Sequence, residues 1–138
     1  MILDEASLDL QTAGIGTRAT DLFESFLPES PDAAIAIFDN AGSPPIQTLG
    51  ADVSIERPRL TVWARATTAA LAAEKIRAVY ARWRAKSEAQ MTKAAGGTTR
   101  WLSVMAVGSP FLLKRDDASP PRTIYAINFD VLKEISTG

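Results

Sequence analysis

The residues best suited to acid–base or metal chemistry lie together in one short segment, in which Lys114 and Arg115 precede Asp116 and Asp117. Neighbouring carboxylates can share a proton or bind a cation, and adjacent cations can keep them ionised. Successive side chains of a strand point to opposite faces, however, so two adjacent aspartates rarely bind one ion together. We interpret the segment as a solvated hairpin tip. If the tip has a function, contact with a partner chain is a better interpretation than catalysis.

The rest of the chain offers little further chemistry. It has 138 residues and contains no Cys and no His. This composition excludes disulfides, zinc sites built on Cys or His, and nucleophiles activated by a His base. The Gly14-Ile15-Gly16 segment lacks the third glycine of a dinucleotide fingerprint and precedes a predicted strand, so it indicates the end of a helix. An enzyme built from this sequence would have to work with carboxylates, Lys, Tyr, Ser or Thr alone. We single out no catalytic, cofactor-binding or metal-ligating residues, and so few catalytic groups suit a structural protein rather than an enzyme.

Nucleic-acid and membrane binding are also poorly supported by the sequence. Four basic residues, Arg77, Arg82, Arg84 and Lys86, lie on both flanks of a predicted helix without an exposed aromatic residue among them to stack on bases. No apolar run approaches the roughly 20 residues that span a bilayer. The acidic beginning of the chain lacks the order of a signal peptide. We expect no specific DNA binding, no membrane association and a cytosolic compartment.

Charge is distributed unevenly along the chain. Residues 1–56 contain ten acidic residues and one basic residue, whereas residues 57–138 contain six acidic and fourteen basic residues. Two interpretations remain open. The two segments can pack together and offset each other, or the folded subunit can expose an acidic face and a basic face that join head-to-tail with further copies.

A composition of 46% hydrophobic and 22% charged residues is typical of one globular domain, which we predict over residues 1–138. The helices and strands that position the residues above are predicted from hydrophobic periodicity. We predict an α+β fold: a mostly antiparallel sheet of four to five strands, with an N-terminal helix and one long helix packed on one face. A long loop is predicted at about residues 39–57. The predicted helices are 2–11 and 69 to about 90, and the predicted strands are 22–27, 33–38, 59–66, 101–107 continuing through 111–113, and 123–132.

The long helix is the most secure of these elements, because Ala72, Val79, Tyr80 and Trp83 all lie close to Ile76 on a helical wheel. Thr67 and Thr68 are suitable capping residues at its beginning. Trp63 lies on one face of a predicted strand, and the aliphatic residues of that strand lie on the other face. Two interpretations of Trp63 remain open. In the first, which we favour, helices cover its face and Trp63 belongs to the core. In the second, the face is open and Trp63 anchors another subunit.

Several segments together give the chain a resemblance to a known family. The order and spacing of these segments resemble the small minor capsid family of long-tailed bacteriophages, which is similar to phage tail terminators, also called tail completion or head-tail joining proteins. The segments are 10–17 (LQTAGIGT), 20–23 (TDLF), 26–28 (FLP), 37–45 (IFDNAGSPP), 57–62 (RPRLTV), 73–80 (AEKIRAVY), 108–113 (GSPFLL), 115–116 (RD) and 127–129 (INF).

The resemblance implies a structural virion protein without catalysis or cofactor. Such a subunit forms a homo-oligomeric ring, usually a hexamer, that caps the finished tail tube, stops its polymerisation and offers a surface to the head connector or stopper protein. The genome DNA would pass through the lumen without specific binding. The protein would be assembled in the host cytoplasm and reside in the tail or neck of the virion.

Two alternatives to the terminator are kept: another neck or minor capsid component, and a small ferredoxin-like dimeric enzyme. For the terminator, the predicted loop and the hairpin tip are suitable segments to reach neighbouring subunits. The candidate partner contacts are Asp39, Asn40, Pro44, Pro45, Arg57, Arg59, Lys114, Arg115, Asp116 and Asp117.

Overall fold

The computed structural model describes residues 2–47, 53–116 and 121–136. Two helices and seven strands follow one another along the chain. In chain order they are α1 (Ile2–Thr12), β1 (Leu22–Glu24), β2 (Ala34–Gln47), β3 (Val53–Ala66), α2 (Ala69–Trp83), β4 (Ser87–Thr92), β5 (Thr98–Ala106), β6 (Phe111–Asp116) and β7 (Arg122–Ser136).

The seven strands form one mixed sheet in the order β1-β2-β3-β7-β5-β4, with β6 also paired to β7. The pair of β1 and β2 is parallel, whereas the other pairs are antiparallel. Helix α1 contacts β1 and β2 near one end of this order and β4 at the other end, so the sheet curls around the helix. The prediction of a mostly antiparallel sheet of four to five strands with one long helix is therefore wrong.

Part of the difference lies at the end of helix α2, which stops at Trp83 rather than near residue 90. Thr68 caps its beginning as expected, since its side chain accepts a hydrogen bond from the backbone N–H of Leu71. After Trp83 the spacing of buried residues changes. Ala89 and Met91 both point towards the core, which is a period of two. These residues belong to strand β4, and the prediction that the helix includes them is wrong.

A second difference concerns the segment predicted as a loop at 39–57. Residues 39–47 continue β2 and residues 53–57 belong to β3, so the prediction is wrong there, while residues 48–52 lie outside the described part. Two register shifts, after Asn40 and after Ser43, hide the alternation that would indicate a strand. At Gly42 a Cβ atom would lie 1.9 Å from the carbonyl oxygen of Arg57, so only glycine permits this approach.

The single domain over 1–138 stays a prediction.

The strand predicted to run from 101–107 through 111–113 is interrupted at residues 108–110. Strands β5 and β6 are separate, and they pair with successive parts of the same edge of β7. The other edge of β7 pairs with β3 along most of its length. Strand β7 therefore lies at the centre of the sheet, and the antiparallel hairpin predicted for the end of the chain is confirmed for β6 and β7.

The hydrophobic core lies between the helices and one face of this sheet. On β3 the alternation predicted from sequence is confirmed, because Leu60, Val62 and Ala64 are fully buried on this face. Trp83 of α2 packs edge-on against Phe129 of β7, with ring centroids 5.0 Å apart. Full burial of such large side chains makes this helix–sheet contact a main source of stability.

Candidate interaction surfaces

The first group of predicted contact residues lies on the β2–β3 hairpin. Asn40 donates a hydrogen bond to Thr61, and the hydroxyl of Thr61 lies 2.6 Å from the side-chain oxygen of Asn128. Arg59 Nε donates to Asp130 Oδ1 at 2.8 Å, and this hydrogen bond raises the pKa of the Arg59 guanidinium. The guanidinium is already paired within the subunit, although the ion pair remains exposed to solvent.

The remaining hairpin residues lie nearby in the same strands. Asp39 pairs with Leu60 in the β2–β3 register and its side chain is exposed. Pro44 and Pro45 lie within β2, and Arg57 lies within β3, where it is partly buried. The structure therefore brings the first group together on one hairpin, as strand residues rather than loop residues.

The second group lies at the end of β6. Lys114 and Arg115 are exposed and pair in register with Ile124 and Thr123 of β7, whereas Asp117 lies outside the described residues. Asp116 is the last residue of β6. Because Arg59 lies opposite Asp130, further along β7, the two groups lie towards opposite ends of the strands. The structure does not bring them into one site, and their contact with a partner stays a prediction.

The described ion pairs support the first interpretation of the charge distribution, in which the two segments offset each other. Carboxylates of the acidic segment pair with cations of the basic segment in five contacts. These are Asp9–Arg82 at 2.8 Å, Asp9–Lys86 at 3.0 Å, Glu5–Lys133 at 2.7 Å, Glu29–Arg122 at 3.2 Å and Asp32–Arg122 at 3.5 Å. Charges that are separated along the sequence are thus paired with each other within the folded subunit.

The sheet face opposite the helices is not covered by them. Trp63 lies on this face, half-buried, with its ring centroid 4.7 Å from that of Phe38. The interpretation that helices cover Trp63 is wrong, since both helices pack on the face of Leu60 and Val62. Phe111 shares a row with Trp63 on the open face, and Met105 lies opposite Asp130 on it. Both are exposed, and an apolar surface of this kind is typical of a contact with another protein.

Two of the grooves on the surface of the described residues are relevant to partner binding. One, of about 520 Å³, is lined mainly by small and apolar residues of α2 and its surroundings, including Ile15, Leu71 and Ala78, with Glu74 and Lys75. The other, of about 450 Å³, lies beside β1. Its lining consists of Arg18, Ala19, Leu22, Phe23, Glu24 and Phe26. Both are open and predominantly apolar, so they fit an apolar side chain of a partner better than a polar reactant.

Two further findings concern metal binding and membrane association, which were both considered from the sequence. In the parts of the chain that the structure describes, no group of three or more His, Cys, Asp or Glu residues could hold a metal ion. Neither described helix has the length and apolar character needed to cross a membrane.

Phe26, Leu112 and the groove beside β1 are not among the contact residues predicted from the sequence. The run Phe111-Leu112-Leu113 next to two basic residues is a readable signal of an apolar strand edge, but it was interpreted only as a continuing strand. The exposure of Phe26 carried no readable signal, because it depends on how the segment after β1 folds back.

The curled sheet has a second face that the helices do not cover, with Phe111 and Met105 exposed on it, and the surface also carries open apolar grooves. These features define a protein whose surfaces are suited to binding other proteins. A model of the bacteriophage tail terminator protein family matches residues 9–135. The chain belongs to this family, which confirms the resemblance drawn from its sequence segments. It is therefore a structural protein of the phage tail, located in the tail of the virion, with tail and head components as its implied partners. A comparison with curated proteins gives no match to the chain.

Proposed function

We propose that copies of this protein form a closed ring, a hexamer, that caps the finished tail tube and stops its polymerisation. The opposite surface of the ring then receives the connector or stopper protein of the head. The single observation that carries this proposal is the family match over nearly the whole chain. The grooves and the exposed apolar residues support it, because a ring subunit needs surfaces for two neighbours and two end partners.

The β2–β3 hairpin is the part of the subunit that we assign to contacts beyond the ring neighbours. Its candidate residues Asp39, Asn40, Pro44, Pro45, Arg57 and Arg59 lie towards one end of the strands, whereas Lys114, Arg115 and Asp116 lie towards the other. Because the two groups lie at opposite ends, the hairpin can bind an end partner of the ring while the second group stays available to a neighbouring copy. In this arrangement the genome DNA passes through the lumen without specific binding, and assembly takes place in the host cytoplasm.

The proposal is tested by removing the protein from an assembling phage. Without the cap, tail tubes are expected to exceed their normal length and to remain unattached to heads, and both effects are visible by electron microscopy. Supplying the protein in trans should restore normal length and joining. Tails of normal length joined to heads in the absence of the protein would contradict the proposed function. No observation on the structure favours the enzyme alternative or another neck component.

A further inference from the structure

Strand β6 presents an apolar edge to solvent. It pairs with β7, and no other described strand lies along its second edge. Leu112 is 53% exposed, Phe111 and Leu113 are also exposed, and Lys114 and Arg115 follow directly. An unpaired edge with exposed apolar side chains tends to associate with other chains unless something covers it. The edge of β6 therefore has the properties of a contact surface.

The other open edges of the described sheet are different in character. The part of β2 beyond its pairing with β1 contains Pro44 and Pro45, which have no backbone N–H to donate. The edge strand β4 exposes polar side chains, namely Ser87, Glu88, Gln90 and Thr92. Prolines and polar side chains are the usual protection of sheet edges. This comparison leaves β6 as the edge suited to an apolar contact.

A complementary surface lies on the opposite side of the same subunit. The groove beside β1 is lined by the apolar side chains of Leu22, Phe23 and Phe26, and Phe26 is 55% exposed. Arg18 and Glu24 also line it, and their charged groups lie 3.6 Å apart with about a third of each side chain exposed. The carboxylate of Glu24 also accepts a hydrogen bond from the Ser7 hydroxyl at 2.8 Å. Because about a third of this side chain is exposed, the groove combines an apolar lining with a partly accessible carboxylate.

The contact at this groove must be made by side chains rather than by a strand ladder. The backbone N–H of Leu22 already donates to the carbonyl oxygen of Thr17, and its carbonyl oxygen accepts from Ala19. The turn before β1 therefore occupies the outward hydrogen-bonding groups of Leu22. An inserting partner would bind through apolar burial and charge.

The two surfaces lie at opposite ends of one row of the sheet. Phe23 pairs with Ala36, Ala36 with Trp63, Trp63 with Ala126, and Ala126 with Phe111. Adding a second subunit beside the first in the same orientation therefore brings its groove to the β6 edge. When two different surfaces of the subunit bind each other, every added copy has the same orientation as the one before it. Such an assembly closes into a ring when the rotation between neighbouring copies permits.

We propose that Leu112 and Leu113 of one copy insert into the groove beside β1 of the next copy, with Lys114 and Arg115 facing its Glu24. The partner is a second copy of this chain, because the apolar pair matches the lining and the basic pair complements the carboxylate. This proposal rests on the proposed ring and adds to it the two surfaces that join neighbouring subunits.

Site-specific cross-linking tests the contact directly, since the natural chain contains no Cys. The Leu112→Cys and Phe26→Cys variants are mixed, assembled and treated with a short bifunctional maleimide. The experiment is done with concentrated purified protein and with assembled virions. We expect a covalent dimer from the mixture and from neither variant alone. The Ala81→Cys variant, changed at an exposed residue of α2 that lines neither groove, is the control and should give no dimer with either.

Two results would overturn the proposal. One is a dimer formed by Leu112→Cys alone as efficiently as by the mixture, which indicates a two-fold contact between like surfaces. The other is the absence of the mixed dimer in both purified protein and virions, although a monofunctional maleimide labels each variant. A mixed dimer in either sample supports the proposal, because the contact then exists in the assembly.

Charge reversal provides a second, independent measurement. The double variant Lys114→Glu, Arg115→Glu should raise the protein concentration needed for half-assembly by about tenfold, since like charges would face Glu24. The control Arg77→Glu, Arg84→Glu makes the same change of charge at two exposed residues that line neither groove, and it should leave that concentration within about twofold. Both variants should keep the circular dichroism spectrum of the native protein. Equal effects of the two double variants would contradict the assignment of β6.

These outcomes are distinguishable from failure of the proposed function. Normal, joined tails in the absence of the protein would reject the terminator role whatever the cross-links show. Absence of the cross-link both in purified protein and in virions that contain the protein would reject this contact, and the terminator role would stand.

Discussion

The carboxylate of Glu5 lies 2.7 Å from the ammonium group of Lys133, and both side chains are buried between α1 and the sheet. Trp101 Nε1 donates to the same carboxylate at 3.2 Å, and Thr99 donates to its other oxygen. A buried ion pair is tolerated when its remaining hydrogen-bonding groups are satisfied, as they are at Glu5. This cluster connects the beginning of the chain to its final strand.

Removing one member of this pair should be strongly destabilising. We expect Glu5→Gln to lower the free energy of unfolding by about 3–5 kcal/mol, because Lys133 would remain buried without a counter-charge. Urea unfolding followed by tryptophan fluorescence measures the change. The double variant Glu5→Gln, Lys133→Met should lose less than the sum of the two single variants, and additive losses would contradict direct coupling.

Trp83 is the second site at which a large loss of stability is expected. The Trp83→Ala variant should lower the free energy of unfolding by about 3–5 kcal/mol, since it leaves a cavity beside Phe129 and Trp101. Trp83→Phe keeps much of the packing but removes the hydrogen bond from Nε1 to Asp9, at 3.0 Å. It should cost less than the Ala variant. An equal loss for both would show that packing is not the main contribution.

Gly42 provides a test of the bulged hairpin. We expect Gly42→Ala to destabilise the protein by about 1–3 kcal/mol, because the added methyl group would meet the carbonyl oxygen of Arg57. Gly108→Ala is the matched control, since a Cβ at Gly108 has no neighbouring atom within 4 Å. Thermal unfolding of the two variants under identical conditions should separate them. Similar melting temperatures would mean that the hairpin can relax around the methyl group.

Asp9 makes stability depend on pH in the acidic range. Burial raises the pKa of Asp9, but hydrogen bonds from Arg82 and Lys86 outweigh it and hold the pKa below its ordinary value of 3.8. A depressed pKa in the folded state contributes stability that is present above 3.8 and is lost as the pH falls through the folded-state pKa. The native protein should therefore lose stability from about pH 5 downwards.

The Asp9→Asn variant isolates this contribution. Its deficit in unfolding free energy relative to the native protein should be constant near neutral pH and should shrink as the solution becomes more acidic than pH 3.8. The Asp39→Asn variant, changed at an exposed carboxyl group, corrects for the general change of charge. A deficit for Asp9→Asn that does not vary with pH would contradict the assignment.

Hydrophobic periodicity indicated the helices and strands in which one face is much more apolar than the other. The stripe of Ile76, Val79 and Trp83 correctly indicated the presence and the beginning of α2 but not its end, and the alternation of Leu60, Val62 and Ala64 indicated β3. The family resemblance was also readable, because it rests on the order of several short segments, and the family match confirms it.

The remaining errors have physical causes in the sheet. Strand β4 was missed because Ala85, Ala89 and other helix-compatible residues follow α2 without a glycine or proline to mark its end. The length of β2 was missed because two register shifts remove the period of two. The pairing of Glu5 with Lys133 and the openness of the Trp63 face depend on long-range packing, which local periodicity does not report.

The central position of β7 has a consequence for biosynthesis. This strand is translated after all the other described strands, yet β3, β5 and β6 all pair with it. The sheet can therefore be completed only after β7 has left the ribosome, since long-range pairing must wait for its partner. Until then β3, β5 and β6 lack their shared partner, and unpaired strands of this kind are prone to associate with other chains.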